Sequence, residues 1–200
     1  MTTILHIDLD AVDRRLRGGE LWAKGWGEPY DPESETCLHG AIRFCSPVPG
    51  DANLIEQVGR KYGFGVSDND DANSWADIRA KVVPDITDEM LAETFGPQWA
   101  EIVALVRRAA VLTDDEVDRM DAAWVAAWDD DEVDRMDAAL DAALDGAGDA
   151  AWFAAGAAAK ALAVRNLIGQ HGFTQAHYDL LTGPWRQVIG PVHPDDEVQP

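Results

Sequence analysis

The sequence predicts an all-α protein: a helical domain followed by an acidic, Ala/Trp-rich helical repeat arm. Three observations carry this reading. Apolar residues recur with the three- and four-residue spacing of a helix face, as in Trp99, Ile102, Val103, Leu105 and Val106. Many of these runs follow a Ser, Thr or Asp placed as an N-cap and end at Gly or Pro. The ten residues DDEVDRMDAA occur twice without a change, at 114–123 and at 130–139.

Taken in order, the N-terminal segment supports two patterns. Leu5, Ile7 and Leu9 alternate as in a strand, whereas Leu5, Leu9, Val12 and Leu16 recur as on a helix face. With Gly18-Gly19 as a stop, a helix from about Leu9 to Arg17 is expected, and a loop follows at Gly25, Gly27 and Pro29. Ser34 is placed to cap a helix carrying Cys37, Leu38, Ala41, Ile42 and Phe44, which Pro47 ends. After a Pro49-Gly50 turn, Asp51 caps a helix to about Tyr62, stopped by Gly63. SDNDDAN at 67–73 reads as a polar loop, and Ser74 caps Trp75–Lys81. Thr87 caps a short helix ending at Gly96, and Pro97 opens the next. Beyond the repeat, Asp149 caps a helix to about Gln170, and Thr174 caps HYDLL. Gly183-Pro184 separates a last turn at WRQVI, and the tail GPVHPDDEVQP is expected to be extended.

Each repeat copy carries its own helix start, because Thr113 with Glu116 and Asp129 with Glu132 have capping-box spacing. A shift of sixteen residues turns a straight helix by about 160 degrees. One unbroken helix would therefore put Val117, Met120, Trp124 and Trp128 nearly opposite Val133, Met136, Leu140 and Leu144. A break near Asp129–Asp131 lets both sets face one core. The expected organisation is a helical domain at 1–112, an acidic repeat arm at 113–172 and a C-terminal docking segment and tail at 173–200.

The chain has 16 basic and 37 acidic residues, a net charge of −21. Residues 114–149 hold 14 acids and two bases (Arg119, Arg135), so −12 of that charge lies in 36 residues. Such a surface repels nucleic acid and anionic membrane and attracts basic partners. Caps, helix dipoles and solvated faces also use acids. The start MTTILHIDLD lacks a basic segment and a long apolar core, so no signal peptide is expected, and Lys160 and Arg165 break up the Ala-rich run as a membrane span. Two cysteines, Cys37 and Cys45, fit a reducing cytoplasm. Eight helical residues would hold them about 12 Å apart, too far for a disulfide.

No complete catalytic or cofactor motif is present, and no metal or cofactor is expected. ILHIDLDAV resembles the first metal-carboxylate motif of lesion-bypass DNA polymerases, with Asp8 as the carboxylate and Val12-Asp13 where that family has an aromatic pair. The same Asp-x-Asp resembles the haloacid-dehalogenase phosphatases, with Asp8 as nucleophile and Asp10 as acid. A helix N-cap at Asp8 is the simpler explanation. Cys37, His39 and Cys45 lack the paired spacing of structural zinc, and Asp68–Asp71 lack the twelve-residue calcium loop.

CLHGAI at 37–42, NDD at 69–71 and SWADI at 74–78 resemble an uncharacterised family of small actinobacterial and actinophage proteins. Its pattern is Cys-x-x-Gly-Ala-(Ile/Leu), then Trp-Asn-Asp, then a capped helix. Cys37, Gly40, Ala41 and Ile42 match the first part. Asn69 and Asp70 match the second, with Asp68 in the place of Trp, and Trp75 opens the capped helix. The segment NLIGQHGFTQAHYDLLTGPWRQVIGPVHP is similar to one that follows Ala-Trp-Asp repeats in actinobacterial proteins. The resemblance implies a setting, an actinobacterium or its phage, and no activity. Gly40-Ala41 has the small side chains that let another helix approach, a packing role.

The function expected is non-enzymatic: an acidic protein that binds a basic surface on another protein, in its sharpest form a DNA mimic. The interaction residues are Asp118, Asp121, Asp134 and Asp137, with Trp124 and Trp128 as core or as anchors. One alternative is a small metal-dependent enzyme using Asp8/Asp10 or Asp68–Asp71. Another is a structural protein that pairs with copies of itself through the Trp/Ala helices.

Overall fold

In a computed structural model of the protein, the residues described are 2–25, 31–116, 118–119, 161–162, 165–170 and 172–198. Among them the regular structure is helical apart from one two-stranded sheet and a single bridge between Trp22 and Thr36. It divides into two compact units, Met1–Thr94 and Phe95–Pro200, a boundary inside the 1–112 stretch assigned to the helical domain.

The first unit opens with a strand, β1 (Thr3–His6), where the sequence left strand and helix open. It pairs antiparallel with β2 (Asp85–Thr87), matching Leu5 to Ile86 and His6 to Asp85, with an irregularity between Thr3 and Leu5. Of the two patterns the sequence offers here, the alternation of Leu5 and Ile7 is the one used before Leu9: both are buried, as is Ile86 on the partner strand. Asp8 then accepts from Ala11 N at 2.9 Å, capping α1 (Leu9–Arg15). After α1 the chain reverses through Arg17, Gly18 and Gly19, all at positive φ. A Cβ at Gly19 would stand 2.9 Å from Trp75 Cβ, so both backbone angle and space demand glycine there.

Helix α2 (Leu38–Cys45) is capped by Cys37, whose Sγ accepts from Gly40 N at 3.4 Å. Ser34 is therefore not its cap; its hydroxyl donates to Asp31 Oδ2 at 2.5 Å in the preceding turn. Helix α3 (Asp51–Tyr62) starts after Gly50 at φ 90°, so Asp51 is its first residue rather than its cap, and Gly63 at φ 83° ends it. The stretch expected as a polar loop is helix α4 (Val66–Asp71). Asp68 turns back to accept from Gly65 N at 3.0 Å, and Asn69 is wholly buried. Tertiary hydrogen bonds to Asn69 outweigh the weak helix propensity of Ser, Asp and Asn. Ser74 caps α5 (Trp75–Arg79) through Asp77 N, and Thr87 Oγ1 accepts from Met90 N in α6 (Asp88–Phe95). Val12, Leu16, Leu38, Ala41, Ile42, Leu54, Ile55, Val58, Phe64, Ile78 and Leu91 are buried in this unit. Burial of each large aliphatic or aromatic side chain contributes about 1.5–3 kcal/mol relative to exposure.

In the second unit, α7 (Trp99–Ala109) buries Ile102, Val103, Leu105 and Val106, the face read from its spacing. A further helix begins at Asp114. Thr174 caps α8 (Gln175–Val188), with His177 N donating to Thr174 Oγ1 and Thr174 N donating to His177 Nδ1, each at 3.3 Å. Gly183-Pro184 does not separate two pieces: α8 runs through Pro184. Proline disfavours helix in the residue before it partly by striking that residue's Cβ, and Gly183 has none. Burial of Tyr178, Leu181, Thr182, Pro184 and Trp185 along one face holds the continuous helix. The tail also departs from the extended expectation, forming a 3-10 turn at Pro194–Val198. Asp196 anchors it, accepting from Tyr178 Oη at 3.1 Å and from His193 N at 3.1 Å. No helix among the described residues is long and apolar enough to cross a membrane.

Candidate functional site

The acidic segment begins with a closed capping box. Glu116 N donates to Thr113 Oγ1 at 3.3 Å, and Thr113 N donates to Glu116 Oε2 at 2.9 Å. Glu116 also pairs with Arg108. The Thr113 N–H and hydroxyl, with Arg108 beyond them, hold its carboxyl below the usual carboxylate range. Asp114, Asp115 and Asp118 are instead exposed. One acid at this helix start is thus committed to the fold, while Asp114, Asp115 and, a turn on, Asp118 present charge to solvent. Asp114 and Asp115 also complement the positive end of the helix they open. Asp121, Asp134, Asp137, Trp124 and Trp128 lie outside the described residues, as do the second capping box and the break near Asp129–Asp131.

The motif residues Cys37, Gly40, Ala41, Asn69, Asp70 and Trp75 do packing and hydrogen-bonding work inside the first unit. Asn69 joins three segments. Its Oδ1 accepts from Trp22 Nε1 at 2.8 Å and from Leu38 N at 3.1 Å. Its Nδ2 donates to Ala23 O and to Asp70 Oδ1, each at 3.2 Å. Asp70 Oδ1 also accepts from Gly25 N at 2.6 Å. The 22–25 loop, the start of α2 and helix α4 therefore meet at one amide. Cys37 sits at that start and is buried, which pushes its thiol up and away from a reactive thiolate. Ala41 is fully buried. Trp75 donates its indole N–H to Asp13 Oδ1 at 2.8 Å. Arg79 Nε reaches Asp13 Oδ2 at 2.7 Å, and this bond holds the Asp13 carboxyl below its ordinary range.

Three of the five carboxylates of the enzyme alternative have structural partners. Asp8 caps α1, Asp68 accepts from Gly65 N, and Asp70 accepts from Gly25 N. Among the described residues, no three His, Cys, Asp or Glu side chains are grouped as metal ligands would be. His39 is buried with Nε2 3.1 Å from Phe64 O, an acceptor that places the ring proton on Nε2.

Sequence reasoning passed over three of these anchors. Trp22 is one, and Asp13 is another. Arg15 is the third: it is buried and donates to Asp31 O at 2.8 Å and Ser34 O at 3.2 Å, with its guanidinium 5.2 Å from the Phe44 ring centre. A cation on the apolar side of α1, in phase with Val12, was the available signal. No protein-family model, curated protein or solved structure matches the chain.

Proposed function

We propose that the protein is a non-enzymatic acidic interaction protein that binds a basic surface on another protein through residues 114–149, in its sharpest form by mimicking DNA. The concentration of charge carries this reading: −12 of −21 lies in 36 residues. The exposure of Asp114, Asp115 and Asp118 supports it, since exposed carboxylates are open to a partner. The clustered acids of the repeat attract a basic groove by the same charge that phosphates carry. The resemblance to actinobacterial and actinophage proteins makes a nucleic-acid-binding host or defence protein the natural partner.

The test is binding to proteins captured from an actinobacterial lysate. Affinity falls steeply between low and physiological salt, and Asn at Asp118, Asp121, Asp134 and Asp137 weakens binding at least tenfold while helicity measured by circular dichroism is retained. Double-stranded DNA displaces the protein. Binding that ignores salt and the four substitutions, or a ternary complex with DNA, rules the mimic out.

A further inference from the structure

A cavity of about 460 Å³ opens in the second unit between α7, the end of α8 and the turn that follows. The acidic segment's function does not account for it. Its size falls in the range of small-molecule sites, roughly 300–1,000 Å³, and such sites combine apolar walls with a few polar groups. Leu105, Trp185 and Val192 supply apolar wall, and all three are otherwise buried. Three polar side chains line it: Glu101, Arg108 and His193.

The state of those three decides what it takes. Arg108 is already paired with Glu116, so its charge is offset. The ring of His193 accepts at Nδ1 from Asp195 N at 3.1 Å and lies 3.5 Å from the Asp195 carboxylate, so it too has its partner. Glu101 has no side-chain hydrogen bond or ion pair among the described residues. The uncompensated charge on the wall is therefore one carboxylate, on α7, a turn from the apolar surface of Leu105. A carboxylate beside an apolar wall favours a cation with an apolar body, because the pairing strengthens as the body displaces water. An anion would meet Glu101 with its natural counter-charge, Arg108, already engaged.

We propose that this cavity is a binding site for a small amphiphilic amine: an aromatic or branched aliphatic body against Leu105, Trp185 and Val192, and an ammonium group on Glu101. His193, also on the wall, offers a polar contact for a substituent on the body. The site is independent of residues 114–149 as a docking surface, so it stands or falls separately from the proposed function.

The experiment is isothermal titration of the full chain with three indoles of matched size: tryptamine (cation), tryptophol (neutral) and indole-3-propionate (anion). Tryptamine binds at least fivefold more tightly than tryptophol, and indole-3-propionate binds most weakly. Glu101→Gln brings tryptamine and tryptophol to within twofold of each other. Glu101→Lys reverses the order in favour of the anion. Glu101 is only part-buried, so neither change threatens the fold. Ala104 is exposed and also lines the cavity. Ala104→Trp fills it and abolishes binding of all three, which separates the site from diffuse attraction to an acidic protein. The proposal is overturned if none of the indoles binds at millimolar concentration. It is equally overturned if the order of the three ligands survives Glu101→Gln, or if Ala104→Trp leaves tryptamine binding intact.

Discussion

Asn69 shows how one polar side chain organises its surroundings. An amide offers two acceptor and two donor positions, and all four are filled from Trp22, Leu38, Ala23 and Asp70. Asn69→Leu fills the space but strands the buried Leu38 N–H and the Trp22 indole N–H. Each unmet buried group costs about 1–3 kcal/mol, so a loss of about 3 kcal/mol in urea unfolding is expected, with Asp70→Ala milder because Asp70 is exposed. His39 sets a pH dependence. Burial holds its ring neutral, lowering its pKa from the ordinary 6.5 despite the opposing influence of Glu56; Arg60 and Arg43 add to the lowering. The unfolded chain therefore binds a proton that the folded chain refuses. Stability is full above about pH 6.5 and falls as pH drops from there toward the lowered folded value, by up to about 1.4 kcal/mol per pH unit. Urea midpoints measured from pH 7.5 to 5 show this slope, and His39→Gln, which keeps a donor for Phe64 O, flattens it.

At the scale of elements, helix α8 contains a tension between local sequence and tertiary burial. Pro184 leaves one carbonyl without its helical partner, and Gly183 gives up helix propensity to accommodate it. Gly183→Ala alone is expected to bring no gain: no atom from elsewhere in the chain lies within 4 Å of a new Cβ, but a proline ring crowds the Cβ of a helical residue before it. With Pro184→Ala in place the same substitution stabilises by about 1 kcal/mol. A double-mutant cycle by thermal unfolding reads the difference directly. If Gly183→Ala stabilises equally in both backgrounds, the proline is not what selects glycine here. Helix α4 presents the related case, in which Ser, Asp and Asn form a helix only because Asn69 is bonded on all sides.

At the scale of the molecule, a net charge of −21 opposes compaction. Raising salt from about 10 mM to 150 mM shortens the screening length from about 30 Å to 8 Å. The thermal midpoint therefore rises with sodium chloride, while affinity for a basic partner falls. Asn at Asp118, Asp121, Asp134 and Asp137 raises the low-salt midpoint and lowers affinity. A midpoint indifferent to salt would mean that the acids are offset locally, which would weaken the case for a docking face as well.

The sequence by itself determined the helical class, the acidic segment and many of the element boundaries. The caps at Asp8, Ser74, Thr87, Thr113 and Thr174 were legible because a cap bonds within its own three or four residues. The buried face of α7 was legible because periodicity is local too. What bonds across distance was decided only in three dimensions. The strand at Thr3–His6 needed Asp85–Thr87, about eighty residues away, to choose ladder over helix. Asn69 needed Trp22 and Leu38, Arg15 needed the carbonyls of Asp31 and Ser34, and the continuity of α8 needed a buried face to hold Pro184. The cavity beside Glu101 belongs to the same class, since its walls come from segments eighty residues apart. Local pattern records where a chain can turn or coil; which polar group is buried, and against what, follows from packing that no short window contains.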